Sequence, residues 1–273
     1  MSRAFSIGKR AFFALKGPDA ARYANGQVSQ DVKLLTPEAA LPACVTDAKG
    51  RLQALVYLYS REDGSIWIEA PAELEEELEP RLGRYLISDD AELENVSAEW
   101  ELWHVLDAAE APAGDFVRRV NRFGSEGYDV WLKAGEACGI PSIAVEEVEA
   151  RRIAAKVPAW GKELTPGMLP PEAGLDRDAI SYRKGCYIGQ EVLSRIKSAG
   201  KLNRKLSGFL LEAGIAEGER FVTGEGKEAG VITSVSSVAD AETGLVPALG
   251  YVEKAGYGME EFSVGGRVVR VHP

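Results

Sequence analysis

The chain has 273 residues, 45% of them hydrophobic and 27% charged, enough to bury a sizeable core in two or three domains and too apolar for intrinsic disorder. Its formal charge of −10 argues against coating nucleic acid with the whole surface, yet a local basic face remains open to anions. Three widely spaced cysteines, Cys44, Cys138 and Cys186, and two histidines, His104 and His272, match no zinc or iron-sulfur ligand pattern and exclude a disulfide scaffold, a self-contained metal site and a histidine triad. No window approaches the roughly 18 to 20 apolar residues of a membrane span, and Met1-Ser2-Arg3-Ala4-Phe5 does not read as a signal peptide, so a cytoplasmic protein is expected.

Arg10 to Leu15 is an apolar run of strand length. After the turn Lys16-Gly17-Pro18-Asp19, the spacing of Ala20, Tyr23, Ala24 and Val28 predicts a helix, with Pro18 near its start where a missing N–H costs nothing. Ala43 to Thr46, Leu52 to Ser60 and Ser65 to Ala70 read as strands joined by turns at Asp47-Ala48-Lys49-Gly50 and Glu62-Asp63-Gly64. Pro71 opens a helix with Leu74, Leu78 and Leu82 on one stripe. The acids Glu73, Glu75, Glu76, Glu77 and Glu79 suit its N-terminal dipole and read as a solvated face. Trp100 to Leu106 and Tyr128 to Leu132 are further strands, and the order of elements suggests that the second segment duplicates the first.

From Trp160 to Asp178 the chain carries Gly161, Pro166, Gly167, Pro170, Pro171 and Gly174, which predicts a long ordered loop, a common place for function. Beyond Gly200, the runs Leu206 to Leu211, Gly230 to Val238, Leu245 to Val252 and Phe262 to Val271 predict a separate β-barrel or sandwich. The expected organisation is therefore 1–96, 97–200 and 201–273, in a mixed α+β class.

Seven cations stand against one anion, Glu191, between Arg183 and Lys205, a net of +6 that leaves −16 on the rest of the chain. This segment contains Lys184-Gly185-Cys186-Tyr187-Ile188-Gly189-Gln190-Glu191, and Ile188, Val192, Leu193 and Ile196 mark a helical stripe. Cys186 is expected at or just before that helix's first turn, beside Lys184, where free N–H groups and an ammonium favour the thiolate. A buried, inert cysteine flanked by turn glycines is the plain alternative.

The octapeptide Lys184 to Glu191 resembles the signature of the YgfZ-type folate-binding proteins, relatives of the glycine-cleavage T-protein that work in iron-sulfur cluster assembly or repair. The similarity extends in order through Leu15 to Ala20, Asn25 to Val32, Gly50-Arg51-Leu52, Leu169 to Leu175 and Gly200. The resemblance implies a GcvT-like fold of two α/β subdomains plus a C-terminal β-barrel around a central hole that admits tetrahydrofolate or a one-carbon derivative. It implies Cys186 as the signature thiol, with Lys184 beside it. It also implies Arg183 and Lys184 as carboxylate-attracting cations, Tyr187 or Trp160 as ring contacts, and Gly189, Gln190 and Glu191 as the rest of the binding motif. Folate, cluster assembly factors and client proteins are the implied partners, without a membrane.

Two departures bear on the reaction. Where T-proteins carry acidic residues after the glycine turn, Gly50-Arg51-Leu52-Gln53-Ala54-Leu55 has none, and Ala154 falls at the position of a second, pterin-binding acid. Without those groups proton handling is not supplied in the expected way, leaving Glu163 and Glu172 in the loop as replacements. An aminomethyltransferase is thus the alternative rather than the leading expectation. A tRNA-modification or nucleic-acid accessory module is a further one, disfavoured by the sparse aromatics of residues 194 to 205.

Overall fold

In the computed structural model, which describes residues 1–240 and 243–272, the first elements are β1 (Arg3–Gly8), β2 (Arg10–Lys16), α1 (Ala20–Gln27), β3 (Leu41–Thr46), β4 (Leu52–Ser60), β5 (Ile66–Pro71), α2 (Glu75–Gly83) and β6 (Glu92–Asn95). Five of the strands form an antiparallel sheet in the order β3-β4-β5-β2-β6. Alternation along β4 decides its orientation. Leu52, Ala54, Val56 and Leu58 are fully buried, while Gln53, Leu55 and Tyr57 are half-buried. The helices cover one face, where Tyr23 and Ala24 of α1 and Leu78 and Leu82 of α2 pack with Phe13, Val56 and Ile68. Each large side chain buried there contributes about 1.5–3 kcal/mol.

A second antiparallel sheet, in the order β1-β7-β9-β8, is built from β7 (Trp100–Leu106), β8 (Val117–Asn121) and β9 (Glu126–Lys133), with the chain's first strand at its edge. The N-terminal strand therefore belongs to the second sheet, and the two halves interleave. Helix α3 (Val145–Ala154) follows.

An aromatic layer joins the two sheets, with Phe12 stacked on Trp131 at a centroid distance of 3.8 Å and Tyr59, Trp67 and Phe116 around them. Beside it lies a buried charge network. Arg122 donates to Glu69 (2.7 Å) and to Asp129 (2.7 Å), and Asp129 also accepts from Tyr59 (2.7 Å) and contacts His104 Nδ1 at 2.9 Å. Burial alone would raise the Asp129 pKa, but the Arg122 charge and these hydrogen bonds hold it well below the usual carboxylate range. Buried charges persist only when paired in this way.

Between α3 and helix α4 (Gln190–Ala199) the expected long loop is present, its only helical piece a short 3₁₀ turn at Pro170–Ala173. The last strands are β10 (Arg204–Leu211), β11 (Arg220–Val222), β12 (Glu228–Val235), β13 (Val246–Glu253), β14 (Glu261–Val264) and β15 (Arg267–His272). They close a barrel in the order β10-β13-β12-β11-β14-β15 around Phe209, Phe221 and Phe262. The run Phe262 to Val271, read as one strand, is a hairpin, because Gly265 and Gly266 both adopt positive φ and reverse the chain. No helix among the described residues is long and apolar enough to cross a membrane.

Candidate functional site

The signature octapeptide forms a clamped surface loop over Lys184 to Gly189, and its last two residues, Gln190 and Glu191, open helix α4 (Gln190–Ala199). Lys184, only 8% exposed, turns inward and donates to the carbonyls of Asn25 (2.6 Å), Val28 (2.9 Å) and Gln30 (2.7 Å). No described carboxylate is within ion-pair distance of it, and burial, opposed only by the charge of Asp31, lowers its pKa to about 8. Further along, Ile188 N–H donates to Gly26 O (3.3 Å) and Thr46 Oγ1 donates to Ile188 O (2.6 Å). Gly189 then sits in left-handed backbone at φ 90°, and a Cβ there would lie 2.6 Å from both Asp47 O and Thr46 Oγ1. Only glycine lets the loop approach the Asp47–Gly50 turn this closely. Lys184, Ile188 and Gly189 thus pin the loop to the end of α1 and the β3–β4 turn.

Cys186 is exposed between these anchors, and the inert, buried alternative fits Cys44 instead, which is 0% exposed with its thiol pushed up to about 12 by burial. One expectation for Cys186 needs correction. Helix α4 begins at Gln190 with Gly189 as its cap, so the thiol lies ahead of the first turn, but the Lys184 ammonium is committed to its carbonyl cage instead of standing beside it on the loop's outer face. Tyr187 is buried in the core with Leu52 and Leu193, so its ring is not free to stack on a ligand. Arg183 and Glu191 are exposed, and Glu191 pairs with Arg195 across one helical turn at 2.9 Å.

Two cavities lie between the halves of the chain, separated by Leu55, Tyr57, Val157 and Pro158, which line both. The larger, about 470 Å³, has apolar walls that include Pro42, Leu55, Tyr57 and Leu175, with Lys156, Arg177 and Asp178 among its polar lining. The smaller, about 250 Å³, is lined by Trp160, Arg10, Arg122 and Glu73 among others. Of the residues expected to bind a ligand, Trp160 alone reaches either space. Cys186 lines neither, nor does it line a third, polar groove of about 520 Å³ that contains Arg51, Glu172 and Arg204. Ala155 and Lys156, and not the exposed Ala154, reach the larger cavity. That Leu55 faces it follows from strand alternation; that Lys156 does depends on how α3 ends, which no local pattern announced.

The loop acids have partners of their own and do not face these cavities as replacements. Glu163 is 1% exposed; its carboxylate accepts from Arg152 (2.9 Å), Ala159 N–H (3.0 Å), Thr233 (2.7 Å) and Ser234 (2.6 Å). Arg152 Nη2 also donates to Ser234 (2.9 Å), and Tyr251 donates to Glu163 O (2.8 Å). Glu163 therefore fastens α3 and the loop to the barrel. Glu172, 7% exposed, accepts from Arg204 at 2.9 Å. Among the described residues no cluster of three or more His, Cys, Asp or Glu could hold a metal ion.

No family model matches the chain. It is 27% identical over 245 residues to the mitochondrial iron-sulfur cluster assembly factor IBA57 homologue of Pyricularia oryzae, a match covering 84% of this chain. It spans 62% of that relative's length. It is 29% identical over 269 residues to an aminomethyltransferase of Rubrobacter xylanophilus, covering 84% of this chain and 71% of the relative. The fold superposes on the glycine cleavage system aminomethyltransferase T of Bartonella henselae with a TM-score of 0.83 at 17% identity, over 100% of this chain and 85% of that one. The chain is thus similar in sequence to both kinds of relative and has the GcvT-like fold.

Proposed function

We propose that the chain is a tetrahydrofolate-binding accessory protein for iron-sulfur cluster assembly or repair and not an aminomethyltransferase. The observation that carries this reading is the larger cavity. Its volume suits a small ligand, its lining mixes apolar side chains with polar ones, and two cations there, Lys156 and Arg177, make no ion pair with any described residue. A reduced folate, with a flat pterin at one end and a glutamate at the other, matches that chemistry. Aminomethyl transfer needs a carboxylate to handle a proton beside the reacting nitrogen. The β4 wall offers Leu55 and Tyr57 instead, and the carboxylates of the two linings, Asp178 and Glu73, are exposed residues.

The relative described as an assembly factor supports the iron-sulfur role, and the exposed, clamped Cys186 supplies a thiol on the outer surface where a partner protein can reach it. One thiol cannot hold a cluster alone, so any cluster contact draws its other ligands from a second chain or from small thiols. In a host lacking this protein, the Cys186→Ala variant should restore iron-sulfur enzyme activity less well than wild type; full restoration would remove the thiol from the mechanism. With tetrahydrofolate and an aminomethyl-loaded carrier protein, no turnover is expected. Substantial turnover would establish the transferase reading.

A further inference from the structure

Lys156 occupies a backbone position that disfavours a lysine. Helix α3 ends in a Schellman arrangement, with Lys156 N–H donating to Ile153 O and Val157 N–H to Arg152 O, both at 3.0 Å. The residue between those bonds must take left-handed backbone, and glycine is the usual occupant. Lys156 holds φ 59° there, and among the described residues Asp107 is the only other non-glycine with positive φ. The stem of Lys156 lies across β10 at Gly208, where a Cβ would meet Lys156 Cε at 2.9 Å, so the barrel leaves room for it. Its side chain makes no hydrogen bond or ion pair with any described residue, and it lines the larger cavity together with Arg177, whose side chain is likewise without a polar partner. Strained backbone, a reserved groove and an ammonium without an ion-pair partner among the described residues coincide at one cavity-lining residue.

We propose that Lys156 is the specificity-determining residue by which this cavity selects ligands with an acidic tail over tail-less pterins, Arg177 being the second cation for the same tail. The assignment rests on the folate reading above and names the part of the ligand that Lys156 meets. A carboxylate against a cation at a partly desolvated wall gains more than it would in bulk water.

The test is calorimetric titration of the full chain with tetrahydrofolate and with tetrahydropteroate, which lacks the glutamate. Wild type should prefer tetrahydrofolate by about tenfold, and the preference should shrink with added salt. Lys156→Gln should remove most of it while leaving tetrahydropteroate affinity within about twofold, and Lys156→Arg should retain it. Lys156→Gly, which relieves the backbone strain, should melt no lower than wild type and show the same loss of preference. Equal weakening of both ligands in the glutamine variant, or a preference unchanged by it, would overturn the assignment while the folate reading stands. Wild type that binds neither ligand would overturn both.

Discussion

At Lys184 an ammonium sits among three carbonyls, with Asp31 acting on it by charge but making no ion pair, and its protonation is coupled to folding. Its pKa in the folded chain, about 8, lies below the ordinary 10.5. Between those values the unfolded chain binds more protons, so stability should rise with pH across that window, by on the order of 3 kcal/mol in full. Urea unfolding of wild type and Lys184→Met should show a stability difference that moves in favour of wild type from pH 8 to 10.5. A difference that falls over that range would mean that the carbonyl cage outweighs burial. Cysteine accessibility separates Cys186 from Cys44 equally directly. In the native protein a thiol reagent followed by peptide mass mapping should modify Cys186 rapidly and Cys44 only on unfolding, since Cys44 is fully buried. Native labelling of Cys44 would contradict the packing described.

Two neighbouring glycines test how the elements hold the signature loop. A Cβ at Gly189 meets backbone at 2.6 Å and the φ is left-handed, whereas Gly185 has ordinary backbone and nothing within 4 Å. Gly189→Ala should therefore cost about 2 kcal/mol or more, and Gly185→Ala less than about 0.5 kcal/mol, by chemical denaturation; equal costs would refute the clamp. The same element scale shows what was legible beforehand. Strand β4 announced itself as an apolar run from Leu52 to Ser60 between two turns, and the leucine stripe of α2 through helical spacing, because burial writes both patterns. Strand β8 did not, since Arg118 and Arg119 break the apolar run at a sheet edge where only one side is paired. Nor did acidic β6. The octapeptide could be located in the sequence, but the direction taken by Lys184 depends on the carbonyls of residues 25 to 30, which lie far away in sequence. Glu163 looked available in the loop for the same reason: its partners Thr233 and Ser234 belong to the barrel.

Across the whole molecule, the barrel is coupled to the two sheet-and-helix halves through the Glu163–Arg152–Ser234 contacts, all buried. Glu163→Gln leaves Arg152 with only the partly exposed Glu149 as its acid and should cost about 2–4 kcal/mol. Differential scanning calorimetry should then resolve an earlier transition for the barrel, while a single, unshifted transition would show that the contacts do not couple the units. The central claim is spatial: the ligand cavity and the thiol are separate features, with Leu55 on a cavity wall and Cys186 on the outer surface. Tetrahydrofolate titrations of wild type, Leu55→Trp and Cys186→Ala test it most directly. Binding should be lost when the tryptophan fills the cavity and should persist within about twofold when the thiol is removed. Binding that survives Leu55→Trp but vanishes with Cys186 would contradict the account.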